Sequence, residues 1–239
     1  MQTVKLVNSS AKTIAHRGLS GIEKENTNSA FVAAGNRSYF GIETDIHRTG
    51  DGNFILCHDN DLKRIAGLDI EVEKVTLAEL RNVIIYDRDQ SNMRNDLRLS
   101  ELENYISICK KYEKHCILEL KSNFTDEEIL KIIEIIREYN YLESVTFISF
   151  VYENLLKVRK FLPEHSVQFL FTEFKDEIVN KVIADKIDID VYYKALDEKI
   201  IKTLHQNGIK INCWTVDDKQ EAEKLINWGI DFITTNILE

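Results

Sequence analysis

Short apolar runs alternate with longer amphipathic stretches along the whole chain. Apolar segments rich in β-branched residues fall at 13–15, 41–46, 116–120, 145–149, 167–171, 187–192, 210–214 and 232–234, and these predict strands. Between most of them the apolar period is helical. Ile129, Ile132, Ile133 and Ile136 recur at the spacing of one helix face, and so do Leu155, Leu156 and Val158 with Phe161. Helix starts are marked as well. Thr125-x-x-Glu128 and Thr76-x-x-Glu79 have capping-box spacing, and Asp218-x-x-Glu221 is a looser version. Strand and helix alternating eight times imply parallel strands joined by helical crossovers. In 239 residues, a closed eight-stranded (β/α)8 TIM-type barrel fits better than an open doubly wound sheet, because such barrels take about 250 residues. The open sheet stays as the alternative, although no G-x-G-x-x-G follows a strand.

One interval breaks the rhythm. Residues 59–100 are polar and charged, and longer than a barrel loop requires. They read as a small insertion after strand 2, with a short helix at 76–83, within a single barrel domain spanning 1–239. Just before the insertion lies a hairpin signal: 43–49, the turn Gly50-Asp51-Gly52-Asn53, then 54–58. A turn symmetric about Asp51-Gly52 would pair His58 with Asp45.

Composition narrows the class without naming a function. Hydrophobic residues make up 44% and charged residues 30%, which excludes collagen-like, low-complexity and disordered chains. Lys and Arg total 31 against 40 Asp and Glu, a formal net charge of −9, so a nucleic-acid backbone is not the expected partner. No apolar run approaches the length of a transmembrane segment. The first residues lack a basic region followed by a long apolar run, so no signal peptide is expected and a cytoplasmic location is. Cys57, Cys109, Cys116 and Cys213 are scattered in or beside apolar segments, as reduced, buried thiols would be.

Candidate chemistry collects where barrels keep their active sites, at the C-terminal strand ends. His16-Arg17-Gly18 follows the first strand; it offers a proton carrier, an anion clamp and a sharp turn. In GIETDI, Glu43 and Asp45 point the same way on a strand whose flanking Ile42 and Ile46 indicate a central position. Two acids on one buried face are costly unless paired or metal-bound, and a hard divalent cation is the natural partner. Glu119 in CILELK adds a third carboxylate, with Lys121 two positions on; a Glu–Lys ion pair is the competing reading. His58-Asp59 ends the hairpin arm, His47 alternates with Asp45 as a weaker candidate, and His115, His165 and His205 look like surface residues. Trp214 closes the seventh strand, as a wall of the site or as plain packing. Carboxylates hold a cation, a cation and Arg or Lys hold a phosphate, and two histidines supply a base and an acid. These are the parts of a phosphodiester-cleaving site.

The segment IAHRG-(x)6-ENTNSAFVAAG-(x)6-IETDIHRTGDGNFILCHD is similar to the N-terminal signature of the glycerophosphodiester phosphodiesterase family. LELK, Ser149-Phe150, NCWTVDD and GIDFITTN resemble its later blocks, in the same order along nearly the whole chain. The sequence departs from the family where Lys24 precedes ENT and where the last block reads TTNILE; the family has proline at both places. The resemblance implies an eight-stranded α/β barrel with a small insertion after strand 2. It implies hydrolysis of small-molecule glycerophosphodiesters to glycerol 3-phosphate and an alcohol, with one divalent cation, Mg2+ or Ca2+. Carried over, Glu43, Asp45 and Glu119 are metal ligands, His16 and His58 the acid/base pair, Arg17 and Lys121 phosphate contacts, and Trp214 a pocket wall. Two alternatives stand beside it. One is a phosphodiesterase acting on lysophospholipid headgroups; the other is a non-catalytic phosphate-binding barrel. Oligomeric state is open.

Overall fold

The computed structural model describes residues 2–6, 9–90 and 94–239. Eight parallel strands close on themselves: β1 (Lys12–Ala15), β2 (Gly41–Arg48), β4 (His115–Leu120), β5 (Val145–Ser149), β6 (Val167–Phe171), β7 (Asp188–Tyr192), β8 (Ile211–Trp214) and β9 (Phe232–Thr235). Closure comes from β1, which pairs with β2 on one side (Ile14 opposite Gly41) and with β9 on the other (Thr13 opposite Ile233). The expected TIM-type barrel is therefore the fold. β3 (Phe54–Leu56) returns antiparallel along the last residues of β2.

Helices α1 (Asn28–Gly35), α4 (Leu102–Lys111), α5 (Asp126–Glu138), α6 (Tyr152–Phe161), α7 (Asp176–Asp185), α8 (Glu198–Gln206) and α9 (Lys219–Asn227) form the outer layer. α5 shows why these segments are helical. Thr125 accepts from the Glu128 amide while the Glu128 carboxylate caps the Thr125 amide, and Ile129, Ile132, Ile133 and Ile136 are all buried against the barrel. The α6 stripe is narrower than its spacing suggests. Leu155 and Val158 are buried but Leu156 is 42% exposed: the step of about 100° from Leu155 carries it off the narrow buried face of this helix, whereas the wider buried face of α5 takes both Ile132 and Ile133.

Residues 59–100 carry α2 (Lys63–Ala66) and α3 (Leu77–Arg81), the latter starting at the Thr76–Glu79 capping box. They bury a small apolar cluster of their own, including Leu62, Ile65, Val72 and Leu80, against Ile55 and Cys57. Residues 91–93 lie outside the described residues. The hairpin register differs by one from the symmetric expectation. Ile46 faces Leu56 and His47 faces Ile55, so the Cys57 amide, not His58, bonds the Asp45 carbonyl. The turn is one residue shorter than expected: the Thr49 amide bonds the Asn53 carbonyl, leaving 50–52 as the turn, where Gly52 takes a positive φ of 73°. His58 thus falls beyond the end of β3. All four cysteines are buried and unbridged. Among the described residues no helix is long and apolar enough to cross a membrane.

Candidate active site

The C-terminal mouth of the barrel holds a cavity of about 170 Å³ lined by His16, Arg17, Glu43, His58, Glu119 and Trp214, with Ile148, Phe150, Leu170, Asp190, Thr215 and Thr234. Six of the eight expected site residues thus border one space. Asp45 lies beneath it, and Lys121 is tied into the carboxylates.

β2 supplies the centre. It is buried on both faces, Ile42 and Ile46 packing outward under the helices. Glu43 and Asp45 point to the mouth, where one oxygen from each lies within 4.8 Å of one from Glu119. Asn26 at the α1 approach donates to Asp45 Oδ2 at 2.9 Å and accepts from Thr44 at 2.7 Å. Lys121 Nζ sits 2.9 Å from Glu119 and 3.6 Å from Asp45, which makes it the charge partner of both. Burial alone would raise the Asp45 carboxyl, but Arg17 and Lys121 hold it well below the usual carboxylate range. Glu43 goes the other way: burial, then the Asp45 charge, drive it well above that range. Burial and Asp45 also raise Glu119, to about 7. Three carboxylates so close cannot all ionise on their own. Asp45 Oδ1 is buried without a hydrogen bond. An all-oxygen donor set with an orphaned carboxylate oxygen fits a hard divalent cation.

The turn after β1 presents His16 and Arg17. Arg17 and Gly18 both take positive φ, 53° and 77°, and a Cβ on Gly18 would stand 2.7 Å from Ala30. At position 18 only glycine tolerates both the φ and the close approach. The turn is pinned by the Arg17 amide donating to Glu43 Oε2 at 2.8 Å. The Arg17 guanidinium bonds Glu25 at 2.9 Å and lies 3.5 Å from Asp45.

The two histidines are held differently. Asn236 Nδ2 donates to Asp217 at 2.6 Å, which turns its Oδ1 toward His16 Nδ1 at 2.8 Å. Nδ1 therefore carries the proton and Nε2 is left as an acceptor, 4.0 Å from Glu43. Burial, then Arg17, lower His16 to about 4, so it is neutral. His58 Nδ1 instead pairs with a carboxylate, Asp59, at 2.7 Å. Burial lowers His58, while Asp45 and Asp59 work against that shift.

Several of these partners escape a reading of the sequence. Arg64 on α2 bridges Asp59 (2.7 Å) and Glu25 (2.8 Å), so the insertion connects the His58 and Arg17 supports. Burial opposes ionisation of Glu25, but Arg64 and Arg17 hold it at about 2. Such long-range pairs leave no local signal. Asn236 and Asp217 do leave one, since each closely follows a strand's C-terminal end. His47 is buried and turned away from the cavity, 3.6 Å from Glu73 and 3.4 Å from the His58 carbonyl. Of the three supposed surface histidines only His205 is exposed. His115 and His165 are half-buried at the barrel's opposite mouth, and burial lowers His115 to about 4. Trp214 stands as a wall, its ring 5.8 Å from both Phe150 and Tyr192.

Residues 16–239 match the sequence profile described as the glycerophosphoryl diester phosphodiesterase family. A glycerophosphodiester phosphodiesterase of Caldanaerobacter subterraneus subsp. tengcongensis is 28% identical over 228 residues, 93% of each chain. The structure of an Oleispira antarctica phosphodiesterase in complex with the product sn-glycerol-3-phosphate superposes with a TM-score of 0.87 at 25% identity, covering 94% of this chain and 92% of that one. A glycerophosphodiester phosphodiesterase from Parabacteroides distasonis gives 0.81 at 26% identity, covering 95% and 93%. The chain belongs to the glycerophosphoryl diester phosphodiesterase family and is an enzyme of that kind.

Proposed function

We propose that this enzyme hydrolyses small glycerophosphodiesters to sn-glycerol 3-phosphate and an alcohol, acting as a single barrel unit in which 59–100 is an insertion. One observation carries the reading: two differently anchored imidazoles, a guanidinium and three carboxylates converge on one cavity. Likeness to a phosphodiesterase that holds sn-glycerol-3-phosphate supports the product. The unbridged cysteines support a reducing, cytoplasmic setting.

His16 Nε2, neutral and unprotonated, takes a proton from the attacking water as its oxygen bonds phosphorus and the bond to the departing alcohol oxygen breaks. Asn236 fixes the tautomer and Asp217 fixes Asn236. His58, backed by the Asp59 carboxylate, protonates the departing oxygen. Arg17 and Lys121 contact phosphate oxygens, and Trp214 borders the organic group. Glu43, Asp45 and Glu119 would hold a divalent cation, Mg2+ or Ca2+. Bound there, it would supply charge neutralisation for the phosphate and for its oxygens in the transition state.

The test is release of sn-glycerol 3-phosphate from glycerophosphocholine, assayed alongside lysophosphatidylcholine. Turnover of the first is expected. Turnover of the second alone would transfer the assignment to lysophospholipid headgroups, and turnover of neither would leave a binding barrel.

A substitution separates the clamp from the scaffold. Arg17→Lys keeps one charge but loses the planar fork that spans Glu25, Asp45 and a phosphate. It is expected to impair turnover with the melting temperature nearly unchanged. Unfolding in this variant would make Arg17 a structural ion-pair partner instead.

A further inference from the structure

The active-site cavity has a second half that the acid–base chemistry does not use. Away from His16 and His58 it is walled by Trp214, Phe150, Ile148 and Leu170. Ile148 and Leu170 belong, with Ile14 and Ile117, to the apolar filling of the barrel interior. Into this setting β7 sends one acid. Asp190 lies opposite Leu170 on β6 and Asn212 on β8, and it borders the cavity. It is 2% exposed. Its Oδ1 is buried and has no hydrogen-bond partner. Among the described residues no ion pair reaches it, since Lys121 and Arg17 are engaged by Asp45, Glu119 and Glu25.

Asn212 on β8 lies against the Asp190 carboxyl and favours its charged form, but Oδ1 keeps no partner. On β6 and β5 the inward positions beside Asp190 are filled by Leu170 and Ile148, and on β8 the facing Asn212 pairs with Thr234. A buried polar atom left without a partner is unfavourable, and in folded proteins such atoms usually prove to have a ligand, a water or a role. The position suggests which. Trp214 Nε1 donates to the Asp190 carbonyl at 3.3 Å, so the indole that walls the cavity is anchored on the same residue. A water needs roughly 10–15 Å³ of such space; the cavity offers about 170 Å³, room for a small polyol.

We propose that Asp190 is a specificity-determining residue: its carboxyl hydrogen-bonds the terminal hydroxyl of the substrate's glycerol arm, seated against Trp214. This rests on the glycerophosphodiesterase reading and deepens it. The glycerol carbons pack along Ile148, Leu170 and the indole, while the hydroxyl satisfies Oδ1. A quaternary ammonium carries no N–H or O–H, so the choline arm cannot make this bond. Burial, and then Glu119, hold the Asp190 carboxyl well above the usual range. That accords with a neutral hydroxyl as its partner.

The experiment compares glycerophosphocholine with its analogue lacking the terminal glycerol hydroxyl, and with bis(p-nitrophenyl) phosphate, in the parent, Asp190→Leu and Asp190→Asn. The parent is expected to prefer glycerophosphocholine over the deoxy analogue by about tenfold or more, the scale of one buried hydrogen bond. Asp190→Leu should erase that preference, mainly through KM, with bis(p-nitrophenyl) phosphate turnover nearly unchanged and no loss of melting temperature. Asp190→Asn, nearly isosteric, should fold in any case and retain part of the preference. Equal use of the two glycerol substrates by the parent would overturn the Asp190 assignment alone. So would an equal fall on all three substrates in either variant, which marks a structural role. A parent that cleaves bis(p-nitrophenyl) phosphate but neither glycerol diester would overturn the glycerophosphodiesterase reading and this one with it.

Discussion

Replacing either His16 or His58 by alanine is expected to lower kcat by about 10²-fold or more, the usual scale of general acid–base catalysis. The two losses should differ in kind. His16 is neutral, its Nδ1 proton committed to Asn236, so Nε2 can only accept a proton from the attacking water. That loss should persist whatever group departs. His58 is braced by the Asp59 carboxylate, which suits a group that must carry a proton to the departing oxygen. A leaving group that needs no proton, such as p-nitrophenolate, should therefore recover much of the activity of His58→Ala and little of that of His16→Ala. Steady-state kinetics on glycerophosphocholine and bis(p-nitrophenyl) phosphate reads this directly. Equal recovery of both variants would dissolve the division of roles. Near-normal turnover of either variant on glycerophosphocholine would remove that residue from the chemistry.

The barrel was legible because each strand and helix declares itself locally. The β-branched runs and the isoleucine stripe of α5 need no distant partner to be read. The carboxylates were legible for the same reason, since acids alternating with apolar residues on a buried strand signal a buried polar site. Asp190 carries a related signal in IDIDVYY, where acids again alternate with isoleucine. That run reads only as a strand, because no partner motif stands beside it. The hairpin register was not legible, as one residue more or less in a Gly-rich turn shifts the pairing while leaving the hydrophobic pattern plausible. Least visible was the support around the histidines. Asp59, Arg64 and Glu25 meet across the insertion and Asn236 approaches His16 from the other end of the chain. Only the closed barrel makes them neighbours.

Chelation is expected to abolish activity, and Mg2+ or Ca2+ to restore it. Without a cation the trio is frustrated: Asp45 is ionised by Arg17 and Lys121, and its charge, together with burial, drives Glu43 and Glu119 toward their protonated forms. A divalent cation lets all three ionise as oxygen ligands. Because only the folded chain brings the three together, the cation should also raise the melting temperature of the parent. The structure divides the carboxylates in how their removal acts. Glu43→Gln and Glu119→Gln should lose activity and much of the metal-dependent rise, yet melt no lower than the parent in chelator. Each removes a charge that the metal-free fold already disfavours. In Glu43→Gln the side-chain amide oxygen could still accept from the Arg17 amide, the bond that Glu43 Oε2 now makes. Asp45→Asn should lose activity and also melt lower in chelator, since it leaves Arg17 and Lys121 facing a neutral group. Melting curves of the three variants with chelator and with each metal would show this order. Full turnover after exhaustive chelation would end the metal assignment and leave the carboxylates as structural partners of Arg17 and Lys121.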